Sequence, residues 1–255
     1  MVFKQSMRCT KSGSRAANGT DGGGPLGTAA TNSFEPPAGA FSPWLRHTRR
    51  VLSERKVEAD VPCGDCNACC RAGYFIEIHP DEQKALDRIG PEHLSRASDS
   101  AGGSFAMEQA PKGKCPMLIN NACSIYEDRP QTCRSYDCRV FAATGIRLKD
   151  KRHAAVAEQA FRWQFEYPTD LDGFEASAVR EAAAFLQTRG KLFPRGALPT
   201  DPGKLARLAL QIHGVFMEQD GGVKGTATPQ SHGARSEEDL VEAVLNAMMT
   251  QEAGE

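Results

Sequence analysis

The stretch CGDCNACC, from Cys63 to Cys70, puts four sulfurs within eight residues. Eight cysteines fall between Cys63 and Cys138, spaced C-x2-C-x2-C-C, then 44 residues, then C-x7-C-x9-C-x4-C. Thiolates at i and i+3 on a tight turn can face one cation, because zinc–sulfur bonds of ~2.3 Å around a tetrahedron set the sulfurs only ~3.7 Å apart. Cys63 with Cys66, or Cys66 with Cys69, is therefore a natural half-site. Cys69 and Cys70 are adjacent, so their side chains are expected to diverge and not to share one mononuclear ion. The distal cysteines must then complete the shell, and the long intervening loop is closed by the bond.

What so much thiol is for depends on the compartment. The first residues, MVFKQSMRCTKSGSR, lack an apolar stretch behind their basic residues, so a secretory signal is not expected and the chain reads as cytoplasmic. Lys4, Arg8, Lys11 and Arg15 fall at helical spacing without an acidic residue before Asp21, which leaves an organellar transit peptide as the alternative. A disulfide framework needs an oxidising compartment. A redox dithiol would use only Cys63 and Cys66, and no thioredoxin-like βαβ pattern surrounds them. Metal binding uses most of the thiols. Some could still be buried core residues, as free cysteine often is.

The remaining composition excludes other classes. The 31 basic and 32 acidic residues nearly cancel, so nucleic acid is not an expected partner. Charges interrupt every apolar run well short of the roughly 18 to 20 residues of a membrane helix, so no membrane partner is expected either. An unidentified protein partner stays open.

Along the chain, residues 1–41 read as a disordered tail, because Thr10 to Ser33 offers only Leu26 as a large apolar side chain. A domain of residues 42–145 opens with a helix over residues 43 to 56. Ser42 is its expected cap and Trp44, Leu45, Thr48, Val51 and Leu52 form its inner face, with Arg46, Arg49 and Arg50 opposite as a solvated face. Tyr74, Ile76 and Ile78 alternate as a strand. A helix follows from Pro80 to Gly90, GPEHLSRA starts a second at Pro91, Asp99 to Ser104 make a loop, and SFAMEQA, CPMLI and ACSIYE read as strands of one small sheet. Helical stripes then mark residues 146–219: Val156, Ala160, Phe161 and Phe165; Phe174, Ala178, Val179, Ala182, Phe185 and Leu186; and Leu205, Leu208, Ile212, Val215 and Phe216. Residues 220–235 are a linker, and Ser236 with Asp239 forms a capping box for a last helix over 236–255. The fold class expected is α+β: a small cysteine-rich domain of short strands and helices, followed by a helical carboxy-terminal region.

CGDCNACC followed by GKCPMLINNACSIYEDRPQTCRSYDC resembles the YkgJ-type cysteine-cluster family, the CxxCxxCC proteins, whose shared domain is described as zinc- or iron-chelating. The resemblance spans Cys63 to Cys138. It implies metal chelation by Cys66, Cys69, Cys70, Cys115, Cys123 and Cys133, with Cys63 and Cys138 fitting the same pattern. Zinc accepts four thiolates, and so do iron–sulfur clusters. The local run is similar to the first three cysteines of a ferredoxin, but Cys70 follows at once where three residues should intervene. One relative, the flagellin lysine N-methylase, couples such a cluster to methyl transfer, so a metal-dependent protein-modifying enzyme is one alternative and a zinc-stapled interaction module another. No glycine-rich site for S-adenosylmethionine is visible, since Gly22 to Gly24 lie in the tail.

Neighbouring residues have expected roles. Asp128 is placed to cap a helical turn at DRPQTCR, and Arg129, Arg134 and Arg139 to offset thiolate charge, although surface arginine is as simple a reading. Pro116 and Pro130 stiffen the approach. His79 could replace a sulfur, and His79 and His93 are the nearest bases for a nucleophilic cysteine. Cys9, in the tail, is not an expected ligand.

Overall fold

The computed structural model describes residues 36–97, 103–109, 113–217 and 235–252. Cys9, the proposed tail before residue 36 and most of the proposed linker lie outside them.

The chain enters through β1 (Pro37–Ala40), which runs directly into α1 (Phe41–Ser53). Order thus reaches back into the segment read as tail, where PAGA carries no alternating apolar pattern to betray a strand. Ala40, not Ser42, is the N-cap. Ser42 is buried in the first turn, and its amide donates to the Asp172 carboxylate over 2.8 Å, so a residue 130 positions away satisfies the orphan donor that a local cap would have taken. Trp44, Leu45, Thr48 and Val51 are buried as their spacing predicts.

Next come β2 (Ile76–Ile78), α2 (Gln83–Ile89), β3 (Leu94–Arg96) and β4 (Phe105–Met107). The second helix expected at Pro91 is only a 3-10 turn, Pro91–His93, before β3. Leu94 to Arg96 pair antiparallel with β4, and that cross-strand pairing overrides the helical start signal. The sheet order is β2-β4-β3, with β4 central. The hairpin β5 (Leu118–Ile119) and β6 (Ala122–Cys123) is a separate two-stranded piece and not part of one sheet with SFAMEQA.

The helical part comprises α3 (Gln131–Arg134), α4 (Arg139–Thr144), α5 (Ala154–Ala160), then β7 (Gln164–Glu166), α6 (Asp170–Thr188), α7 (Pro202–Ile212), α8 (Gly214–Met217) and α9 (Glu237–Glu252). Phe165, read as the end of a helical stripe, lies in β7, which pairs parallel with β1. There it packs edge-on against Phe41 and beside Trp44. Thr169 and Asp172 form a capping box at α6, and Ser236 with Asp239 forms the expected one at α9. Phe174 falls on the outer face of α6, while Ala178, Val179, Ala182 and Leu186 are buried.

The apolar side chains gather into two bodies. The larger joins α1, α4, α5, α6, α7, α8 and α9. The smaller lies under the β2-β4-β3 sheet and comprises Ile78, Ala85, Ile89, Met107, Met117 and Ile125. The architecture is α+β. Among the described residues no helix is long and apolar enough to cross a membrane.

Candidate metal centre

All eight cysteines from Cys63 to Cys138 line one cavity of about 1230 Å³. Four devices bring them there. The first is local: Gly64, at φ +52°, turns the chain so that the Cys66 amide reaches the Cys63 carbonyl at 2.9 Å, and a 3-10 turn, Cys69–Arg71, follows. The second joins the motifs across the long loop, where the Cys115 amide donates to Cys70 O over 2.8 Å. Gly73 allows that approach: it sits at φ +63°, and a Cβ there would stand 2.7 Å from Gly113 O.

The third device is the β5–β6 hairpin. Asn120 and Asn121 both have positive φ, the requirement of a two-residue hairpin turn of the primed type. Asn67 Nδ2 donates to Asn121 O over 2.6 Å and Arg71 donates to Asn121 Oδ1, so the tip that carries Cys123 is tied to the first motif. The fourth fixes Cys133 and Cys138. The Gln131 amide at the start of α3 donates to Glu82 Oε1, not to Asp128, which instead pairs with Arg88. Thr132 Oγ1 donates to Glu77 O at 2.6 Å. Cys138 lies between Asp137 and Arg139, a buried pair at 2.8 Å, and accepts from Trp163 Nε1 at 3.2 Å.

The thiols divide electrostatically. Burial pushes Cys133 and Cys138 up to about 12 and Cys63 to about 11, where the charges of Cys69 and Cys66 add to it. Burial also raises Cys123. Hydrogen bonds with Cys70 bring Cys69 and Cys115 down to about 7, and the same bonds drive Cys70 upward. Adjacent Cys69 and Cys70 both lie on the 3-10 turn at the cavity wall.

As the side chains stand, no three or more His, Cys, Asp or Glu groups among the described residues are gathered tightly enough to hold an ion. The donor set nevertheless fits zinc or iron in kind: eight free thiols face one space, and rotation about a single torsion carries a cysteine sulfur roughly 3 Å.

The arginines behave differently from one another. Arg129 lies over the Tyr126 ring at 4.0 Å and favours the thiolates of Cys123 and Cys133. Arg139 favours that of Cys63 but is spent mainly on Asp137, Ala38 O and Ala59 O. Arg134 is committed to Glu58 and to the carbonyls of Glu127 and Arg129. Neither His79 nor His93 lines the cavity, whereas His153 does. His153 stacks on Tyr74 at 4.8 Å, and the Tyr136 hydroxyl donates to that of Tyr74 at 3.0 Å. Burial raises both tyrosines and keeps them protonated donors. His153 had no spacing relation to the cysteines that could have flagged it. Asp201 and Arg207 at α7 and Thr48 and Val51 of α1 complete the wall.

Residues 62–163 match the family model CxxCxxCC, described as "Putative zinc- or iron-chelating domain". No curated protein and no solved structure matches the chain. The matched segment runs beyond the last cysteine and ends on Trp163, the residue whose indole holds Cys138. Residues 62–163 are thus similar to the CxxCxxCC domain, and this segment contains all eight cysteines of the cavity.

Proposed function

We propose that the chain is a metal-binding protein that chelates zinc or iron through Cys63, Cys66, Cys69, Cys70, Cys115, Cys123, Cys133 and Cys138. The observation that carries this reading is the meeting of all eight thiols, from two motifs 44 residues apart, on one cavity. The bound metal would supply a Lewis-acidic or, as an iron–sulfur cluster, an electron-carrying centre. The chain's own part is to hold the thiols and to offset thiolate charge with Arg129 and Arg139. Eight free thiols suit a reducing, cytoplasmic setting.

A second reading, a metal-dependent modifying enzyme, draws support from the size of the cavity and from the neutral Tyr74–Tyr136 pair and His153 on its wall. A zinc-stapled module for a protein partner needs neither feature.

Anaerobic purification, elemental analysis and an absorption spectrum test the main reading. Stoichiometric zinc or iron is expected, with broad visible absorption if the centre is an iron–sulfur cluster. A reduced, folded chain that takes up neither metal refutes the proposal.

A further inference from the structure

The eight thiols are shared between the two hydrophobic bodies. Cys115 and Cys123 pack against the sheet-side cluster, and Cys133 rides on α3, which Thr132 fastens to β2. Cys138 packs instead on the helical core, under Trp163. Cys66 borders a second hollow lined by Ala155, Glu158 and Gln159 of α5 and by Asn121 of the hairpin tip.

The first motif straddles this division. Cys70 belongs to the sheet side, since its carbonyl accepts the Cys115 amide over 2.8 Å. Cys63 is joined to Cys66 by their turn. Cys69 opens the 3-10 turn Cys69–Arg71, and its carbonyl accepts at 3.2 Å the amide of Ala72, which is buried in the helical core. Each side also has its own guanidinium: Arg129 lines the cavity, and Arg139, next to Cys138 in the chain, donates to Ala59 O in the approach to Cys63.

We propose that the cavity holds two metal centres: a sheet-side centre on Cys70, Cys115, Cys123 and Cys133, and a helix-side centre on Cys63, Cys66 and Cys138 with Cys69 as its fourth thiolate. The proposal rests on the metal-binding reading above. The ligand is a divalent cation that accepts four thiolates, zinc or ferrous iron. Each centre draws on both motifs, so the adjacent cysteines of CGDCNACC serve two ions and not one.

The test is anaerobic titration of the reduced, metal-stripped full chain with cobalt(II), followed by its thiolate charge-transfer absorption, with zinc(II) counted in parallel. Two equivalents per chain are expected. Cys63→Ser with Cys138→Ser, and Cys123→Ser with Cys133→Ser, should each retain one equivalent and about half the absorption. A wild-type endpoint of one equivalent overturns the two-centre assignment while leaving metal binding intact, and it requires no variant to fold. Loss of all metal from either double variant with its circular dichroism preserved overturns it as well. No uptake by the wild-type chain overturns the metal-binding reading itself.

Discussion

Arg139 and Asp137 form a buried ion pair at 2.8 Å on either side of Cys138, and the pair fastens four separate parts of the chain. Asp137 also accepts from Trp44 Nε1 of α1 at 2.9 Å, while Arg139 donates to Ala38 O of β1 and Ala59 O in the approach to Cys63. Removing one partner strands the other charge in a low-dielectric setting. Arg139→Met should lower stability by about 3–5 kcal/mol, read by chemical denaturation of the metal-free chain. A loss within about 0.5 kcal/mol, the range of ordinary surface substitutions, would show that the pair is not a fastening.

The same contact sets where the chain can be shortened. Deleting residues 1–35 should leave the melting temperature unchanged, because that segment's composition offers few large apolar side chains to bury. Deleting residues 1–40 removes β1, exposes Phe165 and takes away Ala38 O, and should lower the melting temperature clearly. Equal melting temperatures for the two truncations would contradict the role given to β1.

Asp172 links the starts of α1 and α6. Its carboxylate accepts from Thr169 and from the Ser42 amide, and these bonds hold it at about 2, below the ordinary 3.8. A folded-state value lowered in this way contributes stability that is fully present above about pH 4 and is lost as pH falls through 4 toward 2. Asp172→Asn should be less stable at pH 7 and should lose less further stability across that window than the wild type. Parallel acid-denaturation curves would disprove the linkage.

Gly73 is required by a close approach as well as by its positive φ. Gly73→Ala would press a methyl against Gly113 O and disturb the Cys70–Cys115 contact. Metal retention against a chelator should fall severalfold, whereas Gly214→Ala, at a position with open space, should not change it. Equal losses in the two variants would remove Gly73 from the account.

Much of this was legible in the sequence. The face of α1, the stripes of α6 and α7 and the capping box of α9 follow from local spacing, and the cysteine spacing marked the eight thiols that line the cavity. What escaped depends on distant residues. Ser42 is capped by Asp172 and Gln131 by Glu82, so local cap signals at Ser42 and Asp128 misled. β1 and β7 exist only through each other. His153, in the 3-10 turn before α5, reaches the cavity only through the tertiary fold, which no spacing in the sequence encodes, whereas Tyr136 lies between Cys133 and Cys138.

The most direct measurement is X-ray absorption at the metal edge of the loaded full-length chain. An all-sulfur shell is expected, at about 2.3 Å for zinc. A shell dominated by nitrogen or oxygen would contradict thiolate chelation by the eight cysteines.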